Sequence, residues 1–195
     1  MRATVDDMAR TVTDTPTAVL DAALTIFERD GVPAARLEDV ATEAGVTRAT
    51  LYYHFHGKDA LVAALLDRAV TRLAEEVAGV LGGPVRAVVT TILRVYGDDQ
   101  ALYRLLFTEL WGPLAPHGLF ERIEGEVLAP ITARIERATA AGEVRAVEPR
   151  VAALSLFGQA SAVALGAIMQ GQALHLEALD AELGRLVDAA LSPEG

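Results

Sequence analysis

Residues 37–55, LEDVATEAGVTRATLYYHF, constrain the fold more than any other stretch of the chain. Two short helical segments, Leu37 to Ala44 and Thr47 to Phe55, are separated only by Gly45 and Val46. Helices joined so tightly must cross at a steep angle, and each position then has a steric task. Val40, Ala44, Val46 and Leu51 supply a small apolar core, and Ala41 is small where the second helix must come close. Gly45 can take the positive φ that the turn demands, and Thr47 is a good N-cap for the helix that follows. On that helix Leu51 and Phe55 share the inward face at i,i+4, which leaves Arg48, Ala49, Tyr52 and Tyr53 outward.

The remainder of the 195 residues reads as helix. The chain is 52% hydrophobic, mostly Ala, Leu and Val, and only 5% aromatic, which favours helix over strand. A first helix is expected after Thr15-Pro16, carrying Val19, Leu20, Ala23, Leu24 and Phe27 to a stop at Gly31. A long amphipathic run from Lys58 places Leu61, Leu65, Ala69, Leu73 and Val77 on one face as far as Gly79. At 1.5 Å per residue it is about 33 Å long, enough to belong to two units. Gly82-Gly83-Pro84 is a clear stop, and further helices are expected near 84–96, 99–110, 119–141, 149–172 and 177–191. Trp111 to Gly118 reads as a loop by its Pro and Gly content.

The predicted fold is all-α with about nine helices. An N-terminal three-helix helix-turn-helix domain is joined by a long helix to a C-terminal helical bundle. Residues 1–57 form the first domain, with 1–14 as a disordered arm, and residues 58–195 form the second.

Several function classes are disfavoured. The absence of cysteine excludes disulfides, thiolate metal sites and cysteine nucleophiles. No Ser-His-Asp order, Gly-rich phosphate loop or paired-carboxylate motif stands out, so no enzyme and no cofactor is expected. His54 and His56 lack a third ligand nearby, so no metal is expected either. The N-terminus has no apolar signal core, and a cytoplasmic chain is expected. Residues 151–169 carry no charge, but Ser155, Gly158, Gln159, Ser161 and Gly166 interrupt them. A helix at a subunit interface is expected there, not a membrane span.

The net charge of −10 argues against a general polyanion binder. Residues 36–58 are neutral, with three basic and three acidic side chains, so a small, shape-specific footprint is the remaining option. A helix whose first turn presents Arg48 and Thr50 suits the major groove, where Arg can bond a guanine edge in bidentate fashion. Tyr52, Tyr53 and His54 can donate to phosphates, and Lys58 can clamp another.

The segment AGVTRATLYYHFHGKDAL resembles the signature of the TetR family, whose recognition helix ends in Tyr-x-x-Phe followed closely by Lys. AALTIFERDGVPAARLEDVATEAGV upstream resembles the family's first helix, Gly turn and second helix. The close resemblance covers about residues 18–66. It implies that Arg48, Ala49, Thr50 and Tyr53 face bases and that Thr47, Tyr52, His54 and Lys58 face phosphates. The chain departs from the pattern before the first helix, where Asp14-Thr15-Pro16-Thr17 stands in place of basic residues. Arg36 replaces the usual hydroxyl at the start of the second helix; it loses the cap but can reach a phosphate. Glu38 and Asp39 oppose DNA.

The resemblance further implies a dimer through about 149–191, a double-stranded DNA operator with inverted repeats, and repression relieved by a small-molecule effector of unidentified chemistry. Tyr96, Tyr103, Phe107, Trp111, Phe120 and Phe157 gather around the irregular loop, with Gln159 as a polar contact, and are the candidate pocket residues. The alternative is a partner-dependent helical regulator without autonomous DNA binding.

Overall fold

The computed structural model describes residues 5–110, 112, 114–172 and 176–192, with side chains from residue 15 onward except at 176 and 177. The first helix, α1 (Val5–Asp30), starts well upstream of Thr15-Pro16, so the arm expected over 1–14 is helical from Val5. Pro16 lies inside it and deletes one bond of the ladder. No glycine or second proline interrupts residues 5–15.

The short pair follows as α2 (Leu37–Glu43) and α3 (Arg48–His54), and the connector as α4 (Lys58–Ala78). The second unit contains α5 (Arg86–Asp98), α6 (Gln100–Glu109), α7 (Leu119–Arg122), α8 (Ala129–Ala140), α9 (Pro149–Met169) and α10 (Leu176–Leu191). A π-helical segment, Ile123–Leu128, joins α7 to α8 in one continuous rod. Among the described residues there are thus nine helical rods and no strand, in agreement with the all-α expectation.

Burial follows helical spacing. In α1 the fully buried positions include Val19, Ala23 and Ile26, which pack towards α2 and α4. In α4, Leu61, Val62, Leu65, Leu66, Ala69, Val70, Leu73 and Val77 are buried along its whole length. Each buried leucine or valine among them contributes about 1.5–3 kcal/mol on leaving water. The connector touches α1 in the N-terminal head and α5, α6, α7 and the π segment in the bundle, so one core runs through both units. Ion pairs reinforce this on several sides. Arg68 meets Asp21 of α1 at 2.5 Å, Asp67 meets Arg122 of α7, and Arg72 meets Asp99, the cap of α6, at 3.3 Å.

Helix α5 is the centre of the bundle, covered by α4, α9 and α10. Arg134 of α8 is buried; it donates to the Gly83 carbonyl at 2.9 Å and pairs with Glu143 at 2.6 Å. That one side chain holds the turn before α5 against the loop before α9.

Helix α9 is long and apolar enough to cross a membrane by length and composition, with a mean hydropathy of 1.8. Its buried residues, Ala153, Leu156, Ala160, Ala164 and Ile168, form one stripe that faces the bundle. Val151, Leu154 and Met169 lie on its open side, and Leu186 of α10 is likewise exposed.

Candidate nucleic-acid interface and effector cavity

The recognition unit is built as its residues dictate. Gly45 has φ +66°, a conformation that side chains rarely adopt, and Val46 N–H donates to the Ala41 carbonyl at 2.9 Å to close the turn. Thr47 caps α3 by accepting from the Thr50 N–H at 3.1 Å. Its hydroxyl also bonds the Thr50 hydroxyl at 2.8 Å, so both side chains are engaged within the helix start. Leu51 is fully buried and Phe55 half-buried against the same core, which fixes the rotation of α3.

That rotation leaves Arg48, Ala49, Tyr52 and Tyr53 exposed on one side. Tyr53 is 81% exposed, and its ring meets that of half-buried His54 edge-on at 5.0 Å. Arg48 is held by two neighbours. Its Nη1 lies 2.8 Å from a Glu38 carboxylate oxygen across the turn, and its guanidinium sits over the Tyr52 ring at 5.3 Å. The Glu38 contact, made from α2, has no counterpart in sequence reasoning; an acid–base search across the turn could have found it.

One candidate residue has other work, and another stands open. Lys58 Nζ donates to the main-chain carbonyls of Val32 at 3.0 Å and Pro33 at 2.8 Å, so two of its three donors tie the α1–α2 loop to the start of α4. Arg36 is exposed at the α2 N-cap position with no side-chain cap, consistent with the loss of a hydroxyl there.

In the bundle, Tyr96, Tyr103 and Phe107 pack on one another instead of lining an open space. The Tyr96 ring lies 4.6 Å from that of Tyr103 and 5.3 Å, edge-on, from that of Phe107. The Tyr96 hydroxyl bonds Ser161 at 3.1 Å, and Tyr103 donates to the Ala69 carbonyl at 3.0 Å. Burial pushes both phenols well above the ordinary tyrosine range. Phe120 is exposed, Phe157 is half-buried, and Trp111 lies outside the described residues. Of the expected set, Gln159 lines a cavity. That cavity has a volume of about 430 Å³ and lies between the start of α9 and the end of α10, walled by Val147, Val151, Leu156, Val187 and Leu191. Among the described residues no group of His, Asp and Glu is placed to hold a metal ion.

Two short helices joined by a tight turn, with Arg48, Tyr52 and Tyr53 exposed on one side and a long connector leading into a helical bundle, form a helix-turn-helix arrangement. Residues 19–65 match the family model described as "Bacterial regulatory proteins, tetR family". Over residues 19–65 the chain is thus similar to the TetR family.

Two curated relatives are the HTH-type transcriptional regulators TtgW of Pseudomonas putida and UidR of Escherichia coli K12. TtgW is 45% identical over 53 residues, 27% of this chain and 40% of that protein. UidR is 31% identical over 115 residues, 56% of this chain and 59% of that one. The chain therefore spans about half the length of these curated relatives. A tetR-family regulatory protein from Rhodococcus RHA1 superposes with a TM-score of 0.75 at 17% identity, covering 92% of this chain and 97% of that one. FadR of Bacillus subtilis, solved in complex with stearoyl-CoA, superposes at 0.72 with 18% identity, covering 88% and 96%. At such identities the two structures share the fold.

Proposed function

We propose that the chain is a ligand-responsive transcriptional regulator that binds an inverted-repeat operator as a homodimer in the cytoplasm and represses until a small-molecule effector releases it. The observation that carries the DNA half is Tyr53, an aromatic 81% exposed beside Arg48 on a helix whose opposite face is anchored by Leu51. Water is a poor environment for that ring, whereas a groove wall or a phosphate suits its apolar body and hydroxyl. Arg48, Ala49, Thr50 and Tyr53 are assigned to bases, and Thr47, Tyr52, His54 and Arg36 to phosphates. Lys58 is assigned mainly to the loop it pins.

The dimer half rests on the open side of α9 and α10, where Val151, Leu154, Met169 and Leu186 are exposed. A two-fold pair through these helices buries them and sets two recognition helices at one DNA turn, about 34–36 Å, or somewhat further apart. The effector half is supported by the FadR complex and by the tight coupling of α4 to both units. A ligand that favours one tilt of α4 changes the head spacing by no more than its differential affinity for the two states.

Selection of genomic fragments by the purified chain, beside Arg48→Ala and Tyr53→Ala, tests this reading. Enrichment of an inverted repeat that both variants lose supports it. No enriched fragment at low salt replaces it with a regulator that needs a protein partner to reach DNA.

A further inference from the structure

Taking α3 as the base-reading helix, as proposed above, we infer that Glu38 is a specificity-determining residue that acts by positioning Arg48. The two side chains meet at 2.8 Å although both are largely exposed, at 54% and 62%. An exposed pair of this kind does little for stability, because water screens it and two long side chains must be ordered. Its effect falls on what Arg48 can offer to DNA.

Three contacts fix the guanidinium. Glu38 holds Nη1, the Tyr52 hydroxyl stands 3.5 Å from Nη2, and the Tyr52 ring lies beneath the group. Arg48 and Tyr52 are one turn apart on α3, while Glu38 reaches over from α2. A flexible cation is thereby aimed in one direction before DNA arrives, and its charge is already balanced.

That balance discriminates between sequences. A phosphate attracts an unpaired Arg at any sequence, since counterion release is indifferent to bases. An Arg paired with Glu38 gains little from a phosphate, because one anion merely joins another. A guanine edge differs: N7 and O6 accept two hydrogen bonds from the fork without bringing a full negative charge beside the carboxylate. Glu38 therefore weakens binding to arbitrary DNA more than binding to a site with guanine opposite Arg48. The acidic residue that opposes DNA in general becomes the reason for preferring one DNA.

The test measures Glu38→Gln against two duplexes, one recovered by genomic selection with the wild-type chain and one of shuffled sequence and equal length. Glu43→Gln, the same charge change on α2, is the control. For Glu38→Gln the shuffled duplex is expected to bind about five- to tenfold tighter and the selected one within about twofold, with the shuffled salt slope steeper by about one per head. Glu43→Gln is expected to shift both duplexes by one common factor. In an Arg48→Ala background Glu38→Gln is expected to leave the ratio unchanged. A common shift for Glu38→Gln, or a ratio change that survives Arg48→Ala, overturns the positioning role while leaving DNA binding intact. Failure of the wild-type chain to recover any duplex overturns the DNA reading and the role of Glu38 with it.

Discussion

Tyr103 donates its phenolic proton to the main-chain carbonyl of Ala69 at 3.0 Å, joining the middle of α6 to the middle of α4. The bond is buried, and the Tyr103 ring meets that of Tyr96 at a tilt, with centroids 4.6 Å apart. Tyr103→Phe removes the bond and keeps the ring. The carbonyl retains its place in the α4 ladder, so the loss of stability is expected to be about 0.5–1.5 kcal/mol in urea unfolding, with an unchanged m-value. A loss below about 0.3 kcal/mol refutes the idea that this bond holds α6 on the connector.

Lys58→Met separates two roles for one residue. The structure gives its ammonium to the Val32 and Pro33 carbonyls, whereas a phosphate clamp gives it to DNA. Loss of the loop bonds is expected to lower stability by about 1–3 kcal/mol while leaving the salt slope of DNA binding nearly unchanged. A slope shallower by about 0.9 per head with unchanged stability restores the phosphate role.

Leu154→Glu places a charge on the open face of α9, near its start. Leu154 is 43% exposed and is not among the buried residues of α9. Light scattering is expected to give twice the chain mass for the wild type and the single mass for the variant, with the same helical circular dichroism. A dimeric variant moves the interface elsewhere on the bundle.

Alkaline pH provides a test of the aromatic core. Burial raises the phenols of Tyr96 and Tyr103, so the folded state holds their protons more tightly than the unfolded chain does. The sign follows: their contribution to stability is fully present below the unfolded tyrosine value of about 10 and declines as pH rises beyond it. Phenolate absorbance is expected to rise in two stages, the second coinciding with loss of helical dichroism. Ionisation of all four tyrosines before any unfolding contradicts the buried placement.

What could be read from the sequence divides along a physical line. Gly45, Thr47 and Leu51 are legible because turn geometry, capping and face are local properties of adjacent residues. The connector is legible because one apolar stripe persists from Leu61 to Val77. The start of α1 is not, since Pro16 announces a first turn just as readily as it is tolerated further in. The bonds from Lys58 run to residues 25 and 26 positions earlier, across a loop whose path no periodicity encodes. Likewise, Glu38 and Arg48 meet only because the turn folds α2 beside α3. Tyr96, Tyr103 and Phe107 are legible as a group, but whether aromatic rings face a void or each other is decided by packing, to which spacing is blind.

The chemistry of Lys58 has a practical consequence. It is the only lysine among seventeen basic side chains, and its amine is tied to two carbonyls of the loop that leads into α2. Amine-directed acylation of a lysine side chain can occur only there, and a bonded ammonium reacts slowly because it must first let go and lose its proton. The chain thus contains a single built-in probe at the joint between head and connector. The rate of its acylation, followed by mass with and without a candidate effector, reports how firmly that joint is closed.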